Sequence, residues 1–225
     1  MAEDVGSQTR AGALEPLWVE EVLHFWFAEL EEAHWFTKDD ALDAQIRRRF
    51  LALHERLLRQ EVPGVSTPRP ILAAVIVLDQ FSRNMYRGNP QSYAADASAL
   101  LLARIAVDQR FDLSMTPVQR LFLYLPFEHS ENREDQALAL KLINQLGNED
   151  WTRDALAHKV LIDRFGRFPH RNRILNRRST DPLGKAARYG PAGRQLDVAL
   201  STFDGALPAG LPEGTAGTGF CPAAS

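Results

Sequence analysis

The sequence predicts an all-α protein built from antiparallel helix pairs in a compact bundle. Three observations predict it. Apolar residues recur three and four apart along most of the chain, the period of an amphipathic helix. Helix-starting and helix-ending residues punctuate that pattern at short intervals, so successive helices should fold back on one another. No Asn-Gly or Asp-Gly turn separates two alternating strand patterns.

Residues 17–30, LWVEEVLHFWFAEL, turn Trp18, Val22 and Phe25 toward a core. After a turn holding Trp35 and Phe36, Asp39 or Asp40 can cap a second helix. Its Leu42, Ile46, Phe50, Leu53 and Leu57 form a buried stripe. PGVSTPRP, 63–70, breaks the chain, and Pro70 suits the first turn of a third helix, ILAAVIVLDQF. That helix is apolar on nearly every side and so should be central; its β-branched residues also suit a strand, but no strand partners are on offer. A turn with Gly88 and Pro90 precedes a fourth helix over 91–110. Thr116-Pro117 opens a fifth, VQRLFLYLPFEHSE, and EDQALALKLINQL is a sixth. WTRDALAHKVLIDRF is a seventh, ended by Gly166, and Pro169 begins a short eighth element. The expected organisation is a flexible segment at 1–16, one helical domain at 17–180 and a Gly/Pro/Ala-rich, largely irregular extension at 181–225. Within that extension LDVALSTF, 196–203, has the pattern of one or two helical turns.

The totals exclude several classes. A chain of 225 residues fits one large domain, and 45% hydrophobic with 24% charged residues is ordinary for a globular protein. A formal net charge of −3 argues against nucleic acid as a partner. The single cysteine, Cys221, rules out an internal disulfide and a cysteine-based zinc site, and suits a cytoplasmic protein. The N-terminal sequence lacks the basic start and apolar run of a signal peptide. The longest apolar run, near 71–78, is too short to cross a bilayer, so no membrane partner is expected.

Three polar islands interrupt the apolar helices. In LDQFSRNMYRG, 78–88, Asp79, Arg83 and Arg87 follow at four-residue spacing, with Asn84 between them. They read either as an intrahelical pair on the surface or as a partly buried ionic network beside a pocket. In YLPFEHSE, 124–131, Pro126 should kink the helix just before Glu128 and His129. Those two are candidates for a carboxylate–imidazole acid/base pair, with Tyr124 one turn earlier, or for a satisfied core histidine and a structural acid. In RFGRFPHRN, 164–172, Arg167, His170, Arg171 and Asn172 surround the restart of the chain at Pro169. Free N–H groups at a helix start and two-pronged arginines suit a small anion; internal acids such as Asp79 and Glu128 are the alternative partners. His54 and His158 look like surface helix positions. With no metal-ligand spacing, Gly-rich phosphate loop or nucleophile elbow, no metal and no cofactor are expected.

Taken together and in order, HFWF, WF at 35–36, VLDQFSRNMYRG, FLYLPFEHSE and RFGRFPHRN resemble the bacterial family known as domain of unknown function nine-two-four. The resemblance runs from roughly 18 to 180 and implies an all-helical fold similar to tetratricopeptide-repeat arrays, with no established activity to carry over. The chain departs from the family after the Ser-Thr pair, where DPLGKAARYGPAG replaces an acidic helical segment. Three functional readings follow. The favoured one is a pocket for a small carboxylate or phosphate, with metal-independent acid/base chemistry by Glu128 and His129. The others are a helical-repeat module that binds an acidic peptide or protein partner, and an internal salt-bridge network that is purely structural.

Overall fold

The computed structural model describes residues 15–179, and these are helical with no strand among them. Of the flexible segment expected at 1–16 only Glu15 and Pro16 are described, with Glu15 held by Arg69 at 3.0 Å. The extension at 181–225, with LDVALSTF and Cys221, lies outside the described residues.

Helix α1 spans Leu17–His24 and runs on into a wider π turn, Phe25–Glu29. The short α2, Glu32–Trp35, follows. Its Trp35 indole N–H donates to the carbonyl of Trp26 at 2.9 Å, which ties the WF pair to the preceding turn. Trp26 is wholly buried, whereas Phe36 is 46% exposed and stacks on the buried Phe122. Helix α3, Asp40–Leu58, is capped by the Asp39 carboxylate, which accepts from the Ala41 and Leu42 amides. Leu42, Ile46, Phe50 and Leu57 are buried and Leu53 is partly so, as the stripe predicts. His54 is a correction: it is only 3% exposed, and its Nε2 meets Ser82 Oγ at 2.7 Å. Helical spacing puts it one turn beyond Phe50 on the apolar face, where sequence polarity alone misassigned it.

Helix α4, Pro68–Val75, continues through a π turn, Ile76–Phe81, into α5, Ser82–Met85. Residues 70–82 are buried without exception, so the apolar third helix is the central one. Phe25, Phe50 and Phe81 pack edge and face around it, with centroids 4.7–5.8 Å apart. The helix expected over 91–110 is divided. A single 3₁₀ turn, Pro90–Tyr93, stands apart from α6, Asp96–Asp108, because Asn89 caps the turn through the Gln91 amide and Pro90 begins it.

Helix α7, Pro117–Glu128, opens with a capping box in which Thr116 and Gln119 satisfy each other's free amides. It continues through Pro126 and ends at Glu128, leaving His129 at the C-cap. Helix α8, Arg133–Asn144, is capped by Asn132, and α9, Glu149–Phe165, by Asn148. Short turns fold α7, α8 and α9 back on one another. The Gln136 amide closes the first of these turns by donating to the carbonyls of Glu128 and Ser130, at 2.5 and 2.7 Å. Gly166 ends α9 at φ +65°, in open space. Gly166→Ala is therefore expected to cost about 1 kcal/mol by backbone strain alone, and Gly166→Asn less, as urea unfolding would read.

Candidate functional site

The π turn carries Asp79 at the end of the central apolar run, and its side chain has no exposure. A carboxylate there must be paired to persist as a charge. Three contacts pair it, and Arg83 adds a bond to the main chain. Arg83 Nη1 approaches Oδ1 at 2.9 Å and donates to the Asp79 carbonyl at 2.7 Å. His129 Nδ1 lies 2.9 Å from Oδ1, and Gln80 Nε2 donates to Oδ2 at 2.6 Å. Burial opposes ionisation of Asp79, but the Arg83 charge and the bonds from His129 and Gln80 outweigh it and hold the carboxyl well below the usual carboxylate range.

The network extends through Asp96, in the first turn of α6. Its Oδ1 is 3.1 Å from Arg83 Nη1 and its Oδ2 is 3.2 Å from Arg171 Nη1. Arg171 Nη2 donates to the His129 carbonyl at 3.0 Å, capping the end of α7. The Arg171 guanidinium also lies between the rings of Tyr93 and Phe168, at 4.5 and 4.6 Å. Residues from four parts of the chain thus meet: Asp79 and Arg83, Tyr93 and Asp96, His129, and Arg171. This is the partly buried ionic network of the two readings open for Asp79 and Arg83.

Glu128 and His129 point to different neighbours. Glu128 is buried and meets His158 Nδ1 of α9 at 2.8 Å, while His129 turns to Asp79. The two imidazoles stand edge to face with centroids 6.3 Å apart. His158, expected on a helix surface, is corrected to half-buried. Burial works against its protonation, but Glu128 raises its pKa above the ordinary imidazole value. Burial and then Arg83 lower that of His129. Asp154, one turn before His158, is pushed up to about 6 by burial and by the Glu128 charge. Tyr124 is fully buried and donates to Asp112 at 2.6 Å, with a phenol raised to about 12 by burial and that bond. It has no part in an acid/base group with Glu128.

The remaining candidates divide. Asn84 and Arg87 both bond Asp43 of α3, at 2.8 and 2.7 Å, rather than joining Asp79. Arg167 is half-buried and makes no hydrogen bond or ion pair among the described residues. His170 packs on Phe168 at 5.5 Å, and burial, then Arg171, push its pKa down to about 3. Asn172 is buried, with neither amide atom hydrogen-bonded. A short element does start at Pro169, but Pro169–Arg171 is one 3₁₀ turn, with too few aligned peptides to form a dipole end for an anion. Of the cations there Arg171 is offset by an internal acid, which is Asp96 and not Asp79 or Glu128.

A cleft of about 430 Å³ opens beside this network. Asp96, His129, Ser130, Glu131, Arg171 and Arg177 give it polar walls, and Tyr93, Leu100, Pro126 and Leu175 are among its less polar ones. Glu131 binds Arg177 at 2.7 Å and accepts from the Phe168 amide at 2.9 Å. Asp96, Glu131 and Arg177 were not legible as site residues, because Asp96 reads as an ordinary first-turn helix acid and its partner Arg171 is 75 residues away. Among the described residues no group of three or more histidines and acids could hold a metal ion, and no helix is long and apolar enough to cross a membrane.

Fold and site together define an all-helical protein with a buried arginine–aspartate–histidine network opening on one cleft. The chain belongs to the family described as bacterial protein of unknown function, DUF924, which it matches over residues 22–182. It is similar to a solved protein of unknown function from Agrobacterium tumefaciens, at 35% identity and a TM-score of 0.72, over 76% of this chain and 97% of that one. No curated protein matches it.

Proposed function

We propose that this protein binds a small carboxylate or phosphate compound in the cleft beside α6, with His129 as its acid–base group. The observation that carries the reading is the Asp79–His129 pair on a residue that lines the cleft. If Nδ1–H donates to Asp79, the lone pair of the ring belongs to Nε2. Burial and Arg83 keep that ring neutral at pH 7, the state a general base needs. Arg171 and Arg177, on the same walls, supply the guanidiniums for an anionic group. In this reading Asp79 orients the imidazole and Glu128 takes no part in the chemistry.

The test is a thermal-shift and calorimetric screen of small carboxylates and phosphates. Arg177 is the variant of choice, because its pair with Glu131 is partly exposed and worth about 1 kcal/mol or less. Arg177→Gln should leave the midpoint of the free protein nearly unchanged and weaken binding about tenfold. Absence of binding by every compound would overturn the reading. A second reading has its own support: each cation in the network already faces an internal carboxylate, so the network also suits a purely structural role that fixes the order of the helices.

A further inference from the structure

The fixed charges of the cleft cancel. Its walls carry two carboxylates, Asp96 and Glu131, and two guanidiniums, Arg171 and Arg177. Behind them Asp79 and Arg83 oppose each other at 2.9 Å. A bare anion entering such a site must take a guanidinium from its carboxylate. That carboxylate then keeps its charge in a partly buried place with one cation fewer; for Asp96 only Arg83 remains. A molecule that also carries a cationic group removes the difficulty, because its cation can take the freed carboxylate.

Two further observations bear on the same pair. Arg171 Nε is a buried donor without a hydrogen-bond partner, and Asp96 Oδ1, on the adjoining cleft residue, is held only by the Arg83 charge at 3.1 Å, with no well-directed hydrogen bond. The charged atoms of Arg171 and Asp96 are 3.2 Å apart. The ammonium nitrogen and the nearer carboxylate oxygen of an α-amino acid also lie about 3 Å apart by standard covalent geometry. Two such dipoles fit side by side and head to tail, each charge meeting its opposite. Ala97, Leu100, Pro126 and Leu175 offer apolar surface to the remainder of the molecule.

We propose, building on the reading of this cleft as a ligand site, that its ligand is a zwitterion of amino-acid size, with its carboxylate on Arg171 and its ammonium on Asp96. The experiment is a calorimetric titration of the full chain with the standard amino acids, with the deamino carboxylate and the decarboxylated amine of each, and with inorganic phosphate. At least one amino acid should bind about tenfold or more tightly than both of its analogues. Asp96→Asn should abolish that preference while keeping the affinity for the carboxylate. The comparison among probes uses the unaltered protein, so it decides the matter even if that variant does not fold. Carboxylates or phosphate binding as well as any amino acid would overturn the zwitterion and leave the anion cleft standing. Amines binding best, or no probe binding, would overturn both.

Discussion

Asp79→Ala is expected to lose about 3–5 kcal/mol of folding stability in urea unfolding, the cost of breaking a buried ion pair from one side. The change leaves the Arg83 guanidinium in the interior with only Asp96 opposite it, and strips the partner from His129 Nδ1 and Gln80 Nε2. The loss should depend on pH in one direction. The folded-state pKa of Asp79 lies below the unfolded value of about 3.9. Its contribution is therefore complete above that value and fades as the pH falls from there toward the folded pKa. The gap between wild type and Asp79→Ala should accordingly be constant near neutrality and narrow in acid. Asp79→Asn keeps the shape and one acceptor while removing the charge, so it should fall between the two and lack the acid-dependent part. A gap that stays the same down to strong acid would mean that Asp79 acts by packing and not by charge.

Arg171→Ala should be the next most costly change, at about 3 kcal/mol. Arg171 is only 8% exposed at its side chain and does three things at once. It pairs with Asp96, caps the His129 carbonyl and fills the gap between Tyr93 and Phe168. Lysine restores the charge but not the flat guanidinium between two rings, so Arg171→Lys should recover less than half of the loss. Because Arg171 and Arg83 share Asp96, the two arginines are coupled: in an Asp96→Asn background the cost of Arg171→Ala should fall measurably. Equal costs in the two backgrounds would show that stacking and the cap to His129 carry the whole effect.

Most of the helices were legible because their signals are local. The Asp39 cap, the Thr116–Pro117 opening and the Gly166 stop each act within one turn of chain, so adjacent residues suffice to read them. The polar islands were visible as interruptions of apolar pattern, which is why Asp79, Arg83, His129 and Arg171 could be singled out. Their partners were not visible. His129 reads as the neighbour of Glu128, yet the helix turns successive side chains about 100° apart. Glu128 was thereby sent to His158 and His129 to Asp79.

The sequence by itself determined an all-α chain, the order of its main helices, and which charged residues stand where apolar ones are expected. Only the tertiary structure decided that Arg83 and Arg171 share Asp96, that Asn84 and Arg87 serve Asp43 instead, and that His54 lies inside. The physical reason is the range of the interactions. Capping and amphipathic period are fixed by residues a few positions apart, whereas ion pairing joins residues across 44 and 75 positions and is settled by how the helices pack.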